Sequence, residues 1–157
     1  MNLALLTFFL EGKRYALHIG SVERVIKAVE VSALPGSPPI VTGVINMHGE
    51  IVPVFNIRER FGLKTKAIGA NDLFIIATTR GLKVALVVDS VGAVEEFGAQ
   101  MVARINTMIN TKQYIEGIVR LPDNMVLIHD LDTFLSLEEE KQLDKSLKSL
   151  SKRKNSK

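Results

Sequence analysis

The stretch GVINMHGEIVPVFNI, residues 43–57, occurs a second time in the chain as GIVRLPDNMVLIHDL, residues 117–131, without a gap. Glycine aligns with glycine, and the apolar positions largely coincide. A second match lies upstream, where YALHIGSV (residues 15–22) parallels VALVVDSV (residues 84–91). A repeated unit that cannot bury its apolar face alone is normally completed by its neighbour. The sequence therefore predicts two related β units, with a seam between them where we expect function.

Length and composition limit the size of these units. A chain of 157 residues is within the usual range for one domain of about 100 to 200 residues, so two units must be small and share a core. We expect repeat copies at about 3–63 and 72–137, with the linker 64–71 between them, inside one domain spanning 1–150. The residues are 46% hydrophobic and 24% charged, which is ordinary for a globular protein.

The basic character of the chain lies in its last residues. The pI is about 9.2, but residues 151–157 supply four of the 20 basic residues, and the remainder has 16 basic against 17 acidic. We expect this tail to be disordered and solvated. Aromatic residues are only 6% and Trp is absent, so the stacking residues of a nucleic-acid-binding surface are lacking. No nucleic-acid partner is expected.

Compartment is predicted from what the sequence lacks. No apolar run approaches the roughly 18 residues that span a bilayer, and the N-terminal apolar stretch has no basic region before it, so neither membrane insertion nor secretion is predicted. The absence of cysteine agrees with a reducing compartment and removes thiol chemistry. We expect a cytoplasmic protein.

Alternating apolar runs separated by turn residues predict four hairpins. Gly49 is expected to supply a positive φ in one turn, and Pro122 to take the second position of another. Pro53 cannot donate a ladder hydrogen bond, so it is predicted at an edge or a bulge. Residues 92–110 have no clear pattern. The predicted hairpins join 3–10 to 14–19, 40–47 to 50–57, 73–78 to 82–88, and 114–121 to 125–130.

Two helical segments are predicted. Ser136 followed by Glu139 forms a capping box, and leucines recur at helical spacing after it, which indicates a helix from about Leu137 to Leu150. Ser21 favours a short helical turn through Ile26, without a matching acidic residue.

No motif for catalysis, phosphate binding or metal binding occurs. The three histidines, His18, His48 and His129, are separated from one another, and no His-Glu-x-x-His pair, P-loop or Gly-x-Ser-x-Gly is present. The acidic clusters Glu95-Glu96 and 138–140 lie in a loop-like stretch and on a solvated helix face. We expect no cofactor, no metal and no enzymatic activity. The exposed features are turns, strand edges and grooves, which are typical of a protein-binding module.

The motif Gly-Val-x-Asn-x-x-Gly-x-Ile-Val-Pro-Val of residues 43–54 resembles the CheW family of bacterial chemotaxis coupling proteins. The resemblance continues through VVDSV (residues 87–91) and YIEG (residues 114–117), and it extends from Phe8 to about Leu137. It implies a mainly β fold of two five-stranded SH3-like barrels around a shared apolar core, with strands exchanged between the repeats. It also implies a non-catalytic adaptor that joins chemoreceptor tips to the regulatory domain of the histidine kinase CheA, recruited to membrane receptor arrays.

In such a family the receptor lies in the groove between the barrels, and the kinase contacts the end of one barrel. The resemblance implies partner-binding roles for six residues: Val22, Arg24, Gly43, Asn46, His48 and Asn56. Three of them depart from the family pattern, because His48 stands for a common Arg, Asn56 for a frequent Asp, and Arg24 for a frequent Glu. A neutral imidazole makes a weaker contact than a bidentate guanidinium, so these changes alter the charge that a partner meets.

Five of these residues also have a purely structural interpretation. Gly43 can serve close chain packing, His48 can be an ordinary turn residue, Asn56 can cap the turn after its strand, Arg24 can be a solvated helix charge, and Val22 can belong to the core. Two alternatives to the chemotaxis function stay open from the sequence. The chain can serve a different histidine kinase system, such as surface motility, without a chemoreceptor, or its basic tail can bind nucleic acid.

Overall fold

The structure is a computed structural model that describes residues 2–104 and 115–155. The described part of the chain is mainly β and ends in one long helix. The elements are β1 (Asn2–Leu10), β2 (Lys13–His18), β3 (Val22–Lys27), β4 (Val41–Met47), β5 (Glu50–Phe55), β6 (Leu73–Thr79), β7 (Leu82–Val88), β8 (Ser90–Gly98), β9 (Val102–Arg104), β10 (Ile115–Arg120), β11 (Met125–His129) and α1 (Leu137–Asn155).

The strands form two sheets, and each sheet takes strands from both halves of the chain. Sheet 1 has the order β8-β1-β2-β11-β10-β9, and sheet 2 has the order β3-β6-β7-β5-β4. All neighbours are antiparallel except β2 with β11 and β5 with β7. The first hairpin of each half therefore lies in the sheet that the other half completes.

The pairing registers agree with the alignment of the two sequence copies. Ile128 pairs with Ala16 across β11 and β2, and Val54 pairs with Ala85 across β5 and β7. The alignment matches Ile128 with Val54 and Ala16 with Ala85. The two parallel contacts are thus made by corresponding residues in corresponding register.

The four predicted hairpins are present: β1–β2, β4–β5, β6–β7 and β10–β11. Gly49 has φ 88°, as its turn requires. The helical turn predicted from Ser21 to Ile26 is wrong, because residues 22–27 form β3 and pair with β6. The β-branched residues in this segment favour an extended chain, and pairing with β6 satisfies its backbone.

Residues that had no predicted structure form the edge of sheet 1. Residues 90–98 are β8, which pairs with β1, and residues 102–104 are β9, which pairs with β10. Residues 105–110 of the unassigned stretch lie outside the described part of the chain. Of the two positions predicted for Pro53, the edge is wrong, since β5 has neighbours on both sides, while a bulge in the β4–β5 pairing lies beside it, between Val41 and Gly43. The parallel pairing of β5 with β7 covers only Val54 and Phe55, so Pro53 interrupts no bond to that strand.

The buried apolar residues form three clusters, of which one joins the two sheets. One cluster draws its buried residues from sheet 2 alone, and another draws them from sheet 1 alone. The largest lies between the sheets and includes Phe8 and Tyr15 of sheet 1, Phe55 and Leu86 of sheet 2, and Leu143 of α1. Successive residues of a strand point to opposite faces of the sheet, so one set of side chains packs in the cluster of its own sheet and the other set packs in the cluster between the sheets.

The pairings leave both sheets open, because within the described residues no ladder joins β8 to β9 or β3 to β4. The fold is therefore two packed sheets and a C-terminal helix, and closure into SH3-like barrels is not observed. The sheets do share a core, as the resemblance implies.

The helix α1 begins where the sequence predicts. The backbone N–H of Glu139 donates to Ser136 Oγ at 3.1 Å, and the N–H of Ser136 donates to Glu139 Oε1 at 2.9 Å, which is the reciprocal capping box. The helix continues to Asn155. Basic residues near a helix C-terminus interact favourably with the helix dipole.

Candidate protein-interaction site

One end of sheet 2 gathers most of the residues that the resemblance implicates. The register places the start of β3, the β6–β7 turn and the β4–β5 turn at this end. Lys83 links them, because its Nζ lies 3.1 Å from Glu23 Oε2 in β3 and 2.9 Å from Glu50 Oε2 in β5. The hydrogen bond from Lys83 to Glu50, and then that to Glu23, raise the pKa of Lys83. We call this region the β3/β4–β5 end.

A β-bulge in β3 sets the direction of the side chains there. Val22 pairs with Ala77 and Arg24 with Ile76, so Glu23 between them is the extra residue. A bulge bends an edge strand and re-aims its side chains. As a result Glu23 reaches Lys83, Arg24 is exposed, and Val22 is half-buried against the shared core.

The β4–β5 turn is held by Asn46. Its Oδ1 accepts a hydrogen bond from the backbone N–H of Gly49 at 2.8 Å. His48 occupies the turn with φ 52°, a left-handed conformation, and is exposed. The turn therefore fixes the backbone by Asn46 and presents the His48 imidazole to solvent.

Gly43 has a packing role, although it is one of the six implicated residues. It is buried beside the bridge between Ser32 and Val44, whose backbones exchange hydrogen bonds of 2.9 and 2.8 Å. A Cβ at Gly43 would clash with the Ser32 carbonyl oxygen and would lie 2.7 Å from Val31 Cγ1. Glycine is required because the chain passes directly over it.

Asn56 lies apart from the other implicated residues. It follows β5, six residues beyond Glu50, which at the usual rise of about 3.3 Å per residue is roughly 20 Å from the β4–β5 turn. Its Oδ1 accepts from the backbone N–H of Arg58 at 3.2 Å. The structure thus gathers Val22, Arg24, Asn46 and His48 at one end and leaves Asn56 at the other.

At this other end lies an ion network that we did not predict from the sequence. Arg58 is only 3% exposed and donates to the carboxylates of Glu11 and Asp89. The backbone N–H of Glu11 also donates to Asp89 Oδ2 at 2.8 Å. Arg58 therefore ties the β1–β2 turn of sheet 1 to the ends of β5 and β7 in sheet 2. We call this group the Arg58 junction.

The charges at the Arg58 junction stabilise one another. Burial alone would raise the pKa of Asp89, but the Glu11 N–H and the Arg58 guanidinium outweigh it and hold that pKa below its usual value. Burial would likewise lower the pKa of Arg58, and its hydrogen bonds to Asp89 and Glu11 raise it instead. The sequence contains only part of this signal, because Arg58 directly follows the repeated stretch 43–57 but its partners are distant in the chain.

A buried histidine lies at the seam between the sheets. His129 is 1% exposed, and neither ring nitrogen has a hydrogen-bond partner in the described part of the chain. Its ring centroid is 5.1 Å from that of Phe61 and 5.7 Å from that of Phe134. Burial lowers the pKa of His129 to about 4, so the imidazole is neutral at pH 7. Its position matches Phe55 in the other copy, which also packs on Phe134.

The chemistry available at these sites is that of surface recognition. Among residues 2–104 and 115–155, no group of three or more His, Asp or Glu side chains is placed to hold a metal ion. In the same residues, no helix has the length and hydropathy needed to cross a bilayer. The exposed apolar side chain of Val25 follows Arg24 in edge strand β3, whereas the exposed Val29 lies beyond the far end of that strand.

Comparison with known proteins agrees with this description. A family model for the CheW-like domain matches residues 4–139. The chemotaxis protein CheW of Treponema pallidum (strain Nichols) is 27% identical over 146 residues, which cover 88% of this chain and 85% of that protein. The chemotaxis protein CheW of Bacillus subtilis (strain 168) is 28% identical over 136 residues, with 85% and 87% covered.

A solved structure has the same architecture. The scaffolding protein TtCheW from Thermoanaerobacter tengcongensis superposes with a TM-score of 0.79 at 27% identity, covering 88% of this chain and 96% of that chain. The fold and the site define a non-catalytic scaffold built of two packed sheets. The chain belongs to the CheW-like domain family, whose named relatives are proteins of bacterial chemotaxis.

Proposed function

We propose that this protein couples the cytoplasmic tips of chemoreceptors to the regulatory domain of the histidine kinase CheA. The observation that carries the proposal is the β3/β4–β5 end, where Lys83 links the strand that carries Arg24 to the turn that carries Asn46 and His48, and where Val25 exposes an apolar side chain next to Arg24. An apolar patch bordered by polar residues is the usual form of a protein-binding surface, in which a few central residues supply most of the affinity. The family membership supports the same conclusion.

The proposal assigns partner contact to Val22, Arg24, Asn46 and His48. Gly43 supports them by letting the Ser32 segment pack against β4. Asn56 is far from this group and is held by Arg58, so its contact would be with a different partner or with the chain itself. We place the protein in the cytoplasm, recruited to receptor arrays by these contacts.

We also propose that residues 1–150 form one double-barrel domain of duplicated origin. Its support is the matching register of the two parallel contacts and the separate apolar cluster of each sheet. Each sheet would then be the wall of a small SH3-like barrel.

The experiment is reconstitution with a purified CheA and a receptor cytoplasmic fragment, with kinase activity and co-sedimentation as readouts. His48→Arg restores the fixed charge that the family commonly has, so we expect receptor coupling to strengthen several-fold. Lys13→Arg, in the β1–β2 turn away from this end, is the matched control. Failure of the unmodified protein to bind either the receptor fragment or the kinase would overturn the proposal. An unchanged affinity of His48→Arg for the receptor would remove His48 from the site.

A second candidate is supported by the three altered charges. If Arg24, His48 and Asn56 face partners, the surface differs from the one that common chemoreceptors meet, and charge matching decides which partner binds. The protein would then serve a histidine kinase system that has no chemoreceptor. Binding of the kinase together with failure to bind any receptor fragment from the same organism would favour this candidate.

A further inference from the structure

A cleft lies between α1, the β6–β7 turn and the segment that follows β11. Its volume is about 220 Å³. An apolar cavity of about 150 Å³ holds benzene, so this cleft has room for one leucine or phenylalanine side chain. Six apolar residues line it: Leu82, Leu131, Phe134, Leu135, Leu143 and Leu147. We call it the α1 cleft.

The floor of the α1 cleft is firmly packed. Phe134 and Leu143 are each 1% exposed, and both belong to the apolar cluster shared by the two sheets. The helix wall is fixed by Arg60, whose guanidinium donates to Glu139 and to the carbonyl of Phe134. An apolar group entering the cleft would therefore meet preformed walls, and little ordering would oppose its binding.

The rim of the cleft is acidic. Asp132, Glu140 and Asp144 face a single lining cation, Arg80, whose Nη1 lies 3.2 Å from Glu140 Oε1. Lys148, outside the lining, pairs with Asp144 at 3.0 Å. The lining charges thus favour a cationic residue next to the apolar side chain that enters.

In the first half of the chain, the segment after β5 lies against the Arg58 junction and has this composition. It contributes Leu63, which packs on the shared core, and Lys66, whose Nζ lies 3.9 Å from Asp89 Oδ1. An apolar residue is thus followed three positions later by a cation that meets a carboxylate. In the second half, α1 follows β11 and forms one wall of the α1 cleft.

We propose that the α1 cleft is a docking site for a partner protein segment that places a leucine or phenylalanine side chain in the cleft and a lysine or arginine near its acidic rim. This site is on the opposite face of β7 from Lys83, since Leu82 and Lys83 are consecutive in the strand. The cleft shares the β6–β7 turn with the β3/β4–β5 end but lies on the other face of the strand, and its proposed role does not depend on the receptor and kinase assignment.

The test uses a synthetic peptide that copies residues 60–71, the segment that follows β5 in the first half, titrated into the full isotope-labelled chain and followed by NMR. We expect saturable shifts at the amides of Leu82, Leu131 and Leu143, with a dissociation constant on the order of 1 mM, as suits one anchoring side chain. Asp144→Lys should weaken binding several-fold. Asp123→Lys, in the β10–β11 turn, is the matched control and should leave it unchanged.

Three outcomes would count against the docking site. The docking site would be overturned if no amide at the cleft shifted at a peptide concentration about 10-fold above the expected dissociation constant of about 1 mM. Shifts confined to the region of Arg24 and His48 would also overturn it. Equal binding by a peptide in which Arg60, Lys64 and Lys66 are all replaced by glutamate would overturn the requirement for a cation. Loss of binding when Leu63 of the peptide is replaced by aspartate would support the apolar anchor.

Discussion

The two halves of the chain build the same junction with opposite chemistry. In the first half, Glu11 in the β1–β2 turn meets Arg58 after β5, and the Arg58 guanidinium is buried. In the second half, the β6–β7 turn carries Arg80, and Asp132 follows β11. The turns have the same backbone, with φ 50° at Glu11 and 48° at Arg80, but the charges are reversed.

The groups that interact at each junction also differ. Arg58 binds Glu11 and Asp89 at once, while Asp132 accepts a hydrogen bond from the Thr79 hydroxyl and Arg80 pairs with Glu140 of α1. The first junction is thus an ion network around a buried guanidinium, and at the second junction α1 forms one wall of an apolar cleft. The hairpin turns match in the two halves, so the difference lies in the charges at these turns and in the segment that follows the last strand of each half.

Replacing Arg58 should break the first junction and lower the free energy of unfolding more than any other change proposed here. Arg58→Met keeps the aliphatic packing but leaves Glu11 and Asp89 without their cation. Removal of one partner of a buried pair costs about 3 to 5 kcal/mol, and we expect about 3 kcal/mol because Glu11 is half-exposed and solvent screens part of the loss. Urea denaturation measures it. Asp132→Asn, the corresponding change in the second half, should cost less than about 1 kcal/mol, and equal losses in the two variants would contradict the contrast.

Lowering the pH should expose a different asymmetry, at the pair Phe55 and His129. The pKa of His129 is about 4 in the folded protein and about 6.5 when unfolded, so the unfolded chain binds more protons between these values. Stability is then full above pH 6.5 and falls as the pH falls, by about 2 kcal/mol from pH 7 to pH 5. Denaturation at several pH values measures this slope.

A variant identifies the source of that slope. His129→Phe places in the second half the residue that the first half has, removes an unpaired buried polar group, and should abolish the loss between pH 7 and pH 5. The depressed pKa values of Asp89 and Glu139 affect stability only as the pH falls below their unfolded values of about 4, so they do not contribute in this window. A slope that persists in His129→Phe would show that another group carries it.

The sequence predicts those features of the fold that depend on residues close together in the chain. The hairpins and the capping box at Ser136 follow from residues a few positions apart, and they were predicted correctly. The local signal at Ser21 favours a helical turn. Pairing of β3 with β6, some 50 residues away in the chain, gives this segment an extended conformation instead.

The candidate site divides in the same way. Asn46 and His48 were located from a motif that includes its own turn. Their neighbours Lys83 and Glu23 were missed, because a strand register and a bulge bring them together and no local pattern encodes either. The buried partners of Arg58 were missed for the same reason, since Glu11 and Asp89 lie 47 and 31 residues from it in the chain.

The smallest expected effect is at the helix that closes the second junction. Ser136→Ala removes the hydroxyl that accepts from Glu139 N–H, which should cost about 1 kcal/mol. Because Glu139 also holds Arg60, the first turn of α1 should fray and the α1 cleft should widen, while the Arg58 junction remains intact. Hydrogen exchange should therefore accelerate at 137–143 and stay unchanged at Glu11 and Asp89. Ser149→Ala, on the exposed face of the same helix, is the control, and equal acceleration at both junctions would mean that the two halves are not held independently.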